Sequence, residues 1–263
     1  MRFLRYTVIG LFAFAAAVAS AQYTVTLTFA NGATRTVDTL LVQGGKVILA
    51  QENLQVPFEQ IQSADFTFEE PLPADELMTL MKGSFYEEMI SRIDTLLAPI
   101  KDGLALRGNL DLYIQYKMRA CFWTENYREA VRLAQLLQQK DSSYASLARL
   151  YELLIRLEQN EPVDEVRTAF EAIDSPEDVS AAMTEYIQGR LAYTVREHEK
   201  ALQHFSRVLV YYRRDPEWVP AATWSEASIY ERVGNYEAVA DIKKELKLAY
   251  SDGFWGRRAD ELD

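Results

Sequence analysis

From residue 23 to 29 the chain alternates strictly: Tyr23, Val25, Leu27 and Phe29 are large and apolar, with Thr24, Thr26 and Thr28 between them. A period of two predicts a strand with one face on a core. Asn31-Gly32 suits the positive φ of a tight hairpin turn, so residues 34–42 are predicted to run back as a second strand. Gly44-Gly45 turns the chain into residues 46–50. After Glu52-Asn53, the run Val56-Pro57-Phe58 and Ile61 lead to a last strand over residues 64–68. Four or five short strands in about fifty residues predict a small all-β module with closed edges. Glu70-Pro71-Leu72-Pro73 then ends the strands and delays a helix. Beyond it the apolar period becomes 3.6 and stays so.

The helical part repeats. Ala130, Val166, Ala201 and Val239 occupy equivalent places, 36, 35 and 38 residues apart. Four residues beyond them lie Ala134, Phe170, Phe205 and Lys243; twelve before them lie Met118, Leu154, Gly189 and Ala227. Turns are marked by Glu125-Asn126-Tyr127, Glu161-Pro162-Val163 and Gly234-Asn235-Tyr236. Small residues on facing helices allow close crossing, and the ring at the Phe205 position plugs the gap beside them. Ser175-Pro176-Glu177-Asp178 places a cap, a proline and an acid at the start of one helix, and Asp215-Pro216 with Pro220 starts the last unit.

Small residue, turn, Tyr, Ala and Phe at this period resemble a tetratricopeptide repeat array, and Gly234-Asn235-Tyr236-Glu237-Ala238 is similar to that family's common inter-helix phrase. The resemblance runs over residues 109–262, with residues 74–98 as a degenerate leading unit around Gly83 and Phe85. Met118, Ala134 and Lys243 depart from the pattern, which implies looser or capping units. The ending Ala249-Tyr250-Ser251-Asp252-Gly253-Phe254 resembles the closing segment of envelope tetratricopeptide proteins related to outer-membrane assembly lipoproteins and the Tol-Pal coordinator. The order of strands, Asn-Gly, Gly-Gly and Val56-Pro57-Phe58 resembles small SH3-like or Sm-like barrels. The expected fold is therefore mainly α: a tetratricopeptide-like α-solenoid at residues 109–263 with a C-terminal capping helix. Residues 71–108 precede it as linker and leading unit, and residues 22–70 as the all-β SH3/Sm-like barrel.

Charge and the N-terminus change the picture further. Arg2 and Arg5, an apolar run over residues 7–18 and Ala19-Ser20-Ala21 match a signal peptide at residues 1–21, cleaved before Gln22. The run is too short to span a bilayer, and the chain is expected to have no transmembrane span after cleavage. The whole chain carries a net charge of −11, and cleavage would make it −13. Such acidity argues against a nucleic-acid partner. The lone Cys121 forms no internal disulfide, and no Asn-x-Ser/Thr sequon occurs. A periplasmic or secreted protein of a Gram-negative bacterium is the expectation.

No catalytic signature is present. His198 and His204 are six apart on one helix, about 120° around it, and cannot share a metal. Cys121 sits on a packing face as an inert thiol, and no phosphate-binding or nucleophile motif appears. The expectation is a non-enzyme without cofactor or metal. In stacked helix pairs the first helices line a concave face. Positions −3, +1 and +4 from the small packing residue form its stripe: Gln115, Arg119, Phe122, Tyr151, Tyr186, Arg190, Tyr193, Trp224 and Glu231. Aromatics with Arg are the composition of protein-binding sites. The expected function is a scaffold or adaptor that docks a protein partner of the cell envelope, with Arg119 and Arg190 meeting its carboxylates. The alternative is an accessory of polysaccharide or peptidoglycan handling. Its β module would touch glycan through an aromatic platform drawn from Tyr23, Phe29, Phe58, Phe66 and Phe68.

Overall fold

The computed structural model describes residues 23–49 and 54–262, so the expected signal peptide lies outside the described residues. Six strands come first: β1 (Tyr23–Phe29), β2 (Thr34–Val37), β3 (Leu41–Gln43), β4 (Lys46–Leu49), β5 (Leu54–Pro57) and β6 (Ile61–Phe68). They form two three-stranded antiparallel sheets, ordered β2-β1-β6 and β3-β4-β5. The phase read from the alternation holds, with Tyr23, Val25 and Leu27 buried. The single strand expected over residues 34–42 is split, half in each sheet.

The closed barrel is not formed: among the described residues no ladder joins the two sheets. The reason is visible at the outer edge of β6, which a closing strand would need. Ala64 N–H donates to Arg107 O at 2.8 Å, and Phe66 N–H donates to Asn109 Oδ1 at 2.9 Å. Asn109 Nδ2 returns a bond to Phe66 O at 2.7 Å. An edge used this way welds the β module to the helices instead of closing on itself. Gly108 is required there, since a Cβ would stand 2.0 Å from Ala64 O.

The helices are α1 (Ala74–Lys82), α2 (Tyr86–Leu97), α3 (Leu110–Trp123), α4 (Tyr127–Gln139), α5 (Ala145–Glu158) and α6 (Val163–Glu171). After these come α7 (Pro176–Thr194), α8 (His198–Tyr211), α9 (Trp218–Arg232), α10 (Tyr236–Ala249) and the short α11 (Phe254–Arg258). The aligned positions fall as a helix-pair repeat demands. Ala130, Val166, Ala201 and Val239 lie on second helices, Met118, Leu154, Gly189 and Ala227 on first helices, and all are buried.

One turn geometry recurs between the helices of each pair. Ser84, Glu125, Asn160, Arg196 and Gly234 have φ of 53°, 60°, 58°, 63° and 77°. The next residue's N–H reaches back to a carbonyl: Phe85 to Leu80, Asn126 to Cys121, Glu161 to Arg156, Glu197 to Ala192 and Asn235 to Tyr230. This left-handed residue followed by a long backward bond closes a helix C-terminus. Only Gly234 among the five is glycine, so the other four pay about 1 kcal/mol or more in backbone strain.

The start of α7 departs from expectation. Ser175 is itself left-handed (φ 46°) and its side chain makes no cap. The helix backbone breaks at Ser180 (φ −164°), whose Oγ accepts the Met183 N–H at 3.3 Å. The side-chain cap therefore stands five residues on, while Ser175 contributes only its carbonyl, which accepts the Asp178 N–H at 3.1 Å.

Gly189 lets α7 and α8 approach: a Cβ there would stand 2.5 Å from the fully buried Phe205 ring. Gly189→Val is expected to cost about 2–3 kcal/mol, since a locked ring cannot retreat. Gly189→Val in a Phe205→Leu background should recover part of that loss, as read from urea midpoints. Equal midpoints for Gly189→Val and the wild type would refute the packing.

The last helix closes the array. Phe254 N–H donates to Ser84 O at 2.9 Å, and Trp255 Nε1–H donates to Tyr86 Oη at 3.2 Å. Arg257 pairs with Glu87 at 2.7 Å. At Gly253 a Cβ would lie 2.0 Å from Gly83 O. The C-terminal helix therefore sits on the α1–α2 turn. Lys243, the polar departure in the last unit, donates Nζ to Leu262 O at 2.5 Å and ties down the chain end.

Candidate functional site

The first helices α3, α5, α7 and α9 pack in sequence along the inner face. That face carries a cluster of packed aromatic rings. The Trp123 ring centre lies 5.0 Å from that of Trp255, 5.5 Å from Trp218 and 6.3 Å from Tyr186. These rings come from α3, α7, α9 and α11 and pack together across the inner face.

At the centre of this packing is Glu217, 1% exposed and one residue before α9. Arg119 donates Nε and Nη2 to Glu217 Oε2 at 3.0 and 2.7 Å. Trp123 Nε1–H donates to Oε1 at 2.7 Å, and the Tyr151 hydroxyl donates to the same oxygen. Gln115 Oε1 accepts from Arg119 Nη1 at 3.1 Å. Burial alone would lower the Arg119 pKa, but the Glu217 carboxylate outweighs it and holds the guanidinium charged. Burial, reinforced by Glu217, pushes the Tyr151 hydroxyl well up. Asp215 Oδ1 accepts the N–H groups of Glu217 and Trp218 at 3.0 and 2.9 Å, which fixes the approach of the carboxylate. Three of the expected groove residues, Gln115, Arg119 and Tyr151, are thus committed inside the fold. Arg119 faces a carboxylate of its own chain, not of a partner.

Five others meet in one place. Phe122, Tyr186, Arg190, Tyr193 and Trp224 line a cavity of about 160 Å³. The α3–α4 turn adds Glu125, the start of α4 Tyr127, α5 Glu158, α9 Ser225 and Ser228, and α11 Trp255 and Arg258. Arg190 Nη1 pairs with Glu158 Oε1 at 2.5 Å and donates to Tyr186 Oη at 3.3 Å. Burial opposes the Arg190 charge, but Tyr186 and Glu158 raise its pKa overall. Arg258 Nη1 reaches Glu125 Oε1 at 3.0 Å, and its guanidinium lies 4.5 Å from the Trp224 ring centre. Arg232 stacks likewise over Tyr193 at 4.9 Å. Contacts of this kind are worth about 0.5–2 kcal/mol according to solvation. Glu231, the ninth expected residue, stands on the last turn of α9 outside the cavity lining.

Three N–H groups at the cavity are buried without an acceptor: Arg190 Nε, Arg258 Nε and Trp224 Nε1. Glu261 Oε2 comes only to 3.6 Å from Arg258 Nε, beyond a useful hydrogen bond. Each orphaned donor costs about 1–3 kcal/mol. Three of the side chains that line the cavity therefore carry an unmet donor beneath its surface. It holds no paired nucleophile and base. Cys121 is fully buried, its thiol pushed up to about 12 chiefly by burial. Among the described residues no group of His, Cys, Asp and Glu is arranged to hold a metal ion.

Sequence reasoning missed Glu217, Trp123, Trp218, Trp255 and Arg258. A signal existed for the first: an acid standing directly before Trp218 in an inter-repeat loop, after a proline. Trp123 lies five residues past Met118, one step off the stripe that was read. Arg258 belongs to the C-terminal helix and follows no repeat position.

The family model of the TT21 fifth ARM repeats domain matches residues 120–230. The match spans α4 to α8 with the last turn of α3 and most of α9, so the chain is similar to a helical-repeat domain there. No curated protein and no solved structure matches the chain.

Proposed function

We propose that the chain is a non-catalytic adaptor of the bacterial cell envelope, an array of tetratricopeptide type that holds a protein partner at the cavity between α3, α5, α7, α9 and α11. The cavity carries this reading. It gathers five of the nine residues marked as partner-facing, in the aromatic-plus-arginine composition of binding hot spots. The similarity of residues 120–230 to a helical-repeat domain supports a role in protein interaction. Export rests on Arg2, Arg5, the apolar run and Ala19-Ser20-Ala21. Among the described residues no helix is long and apolar enough to cross a membrane.

In this mechanism the partner inserts one anchor into the cavity while its flanks lie across the mouth. The β module offers no exposed aromatic platform for glycan: Tyr23, Phe66 and Phe68 are buried, and Phe29 and Phe58 half-buried.

Arg190→Glu with Tyr193→Ala is expected to weaken partner capture by about tenfold or more, the effect of losing one hot-spot contact of about 1.4 kcal/mol or greater. In-cell photo-crosslinking to the periplasmic form reads this directly. The exposed Arg213→Glu serves as the charge control. Undiminished crosslinking in the double variant would remove the cavity from the site.

A further inference from the structure

We infer that the cavity selects an uncharged carboxamide, the side chain of a glutamine or asparagine presented by the partner, over a carboxylate or an ammonium; this rests on the protein-binding reading above. Charge balance is the first ground. The lining holds two cations, Arg190 and Arg258, and two anions, Glu158 and Glu125, already joined pairwise at 2.5 and 3.0 Å. An anionic anchor faces both carboxylates, and a cationic anchor meets both arginines.

Hydrogen-bonding demand is the second ground. Arg190 Nε, Arg258 Nε and Trp224 Nε1 all lack an acceptor. Each of the two glutamates spends one oxygen on its arginine and keeps the other as an acceptor. The wall therefore calls for a neutral group that accepts at one atom and donates at its neighbour. A carboxamide does both in one plane, and its methylene stem suits the aromatic lining. A carboxylate offers no donor, and an ammonium no acceptor.

Access is the third. The orphaned N–H groups are buried, so a side chain must move to expose them. Arg258 is the movable wall: its side chain is 25% exposed, and its partner Glu125 is 59% exposed. An ion pair that open to solvent restrains it weakly.

The test uses the full mature chain with ¹⁵N-labelled tryptophan. Four tryptophans give four indole N–H signals, and Trp224→Phe assigns the one in the cavity. The probes are N-acetylglutamine N-methylamide, N-acetylglutamate N-methylamide and N-acetylglucosamine. The glutamine probe is expected to move the Trp224 signal saturably in the millimolar range, about tenfold more tightly than the glutamate probe. Arg190→Lys keeps the charge but lacks the Nε–H, and is expected to weaken that probe about threefold or more. Equal or tighter binding of the glutamate probe overturns the inference. So does a shift with the amino sugar alone, or silence with all three. If the probes are silent while Arg190→Glu with Tyr193→Ala still abolishes crosslinking, only the anchor's chemistry falls. If crosslinking survives that double variant, the site itself falls.

Discussion

Glu217→Ala is expected to destabilise the protein by roughly 3–5 kcal/mol, the usual cost of breaking a buried pair from one side. In a chain of this size that lowers Tm by about 10 °C. The carboxylate is 1% exposed and receives Arg119 twice, together with Trp123 and Tyr151. Its removal strands a guanidinium, an indole N–H and a phenol in a space that water cannot easily fill. Much of the loss is therefore the desolvation of what remains rather than the worth of the pair. Arg119→Met on top of Glu217→Ala should restore part of it, because no uncompensated charge is then left. Calorimetry on the two variants and their combination closes the cycle. A loss under about 1 kcal/mol for Glu217→Ala would show that the carboxylate is not the hub it occupies in space.

Trp255→Ala ranks second, at roughly 3–5 kcal/mol for a buried indole. The ring contacts Trp123, Phe254 and Trp224, and its N–H is the donor to the Tyr86 hydroxyl. The informative readout is remote. Amide exchange in α1 and α2 should accelerate, although these helices lie some 170 residues earlier in sequence. Leu248→Ala, at an apolar residue 84% exposed, is the control and should change stability by less than about 0.5 kcal/mol. Faster exchange confined to α10 and α11 would mean that the C-terminal helix rests on the first pair without holding it.

The helix-pair repeat was legible because close packing leaves a periodic trace. Gly189 must be small where Phe205 is large, and the buried second-helix positions Ala130, Val166, Ala201 and Val239 return every 35 to 38 residues. The strand phase was legible for the same reason at period two. What escaped depends on contacts without a period. Barrel closure turned on what pairs with β6, and the answer, Arg107 to Asn109, lies in a loop some 40 residues on. The inner face was read as open because each first helix was treated alone. Part of what packs there is a loop acid and the C-terminal helix, neither of which any repeat position encodes. The stripe still located the cavity, since Tyr186, Arg190, Tyr193 and Trp224 belong to successive first helices whose spacing the repeat does set.

Closure at the α1–α2 turn bears on how the molecule folds. An open stack of helix pairs can nucleate anywhere and fray from either end, each pair answering only to its neighbours. Here Ser84 and Trp255 touch across 171 positions of sequence, so α11 ties the first pair to the last and opening at either end is expected to be coupled to the other. A contact this distant in sequence is expected to form late, after the intervening pairs have set the distance it must bridge. Loop-closure entropy grows only slowly with length, so the long separation itself adds little cost. Geometry is the stricter condition. The number of pairs between the two ends is locked, because one inserted unit would carry Phe254 away from Ser84.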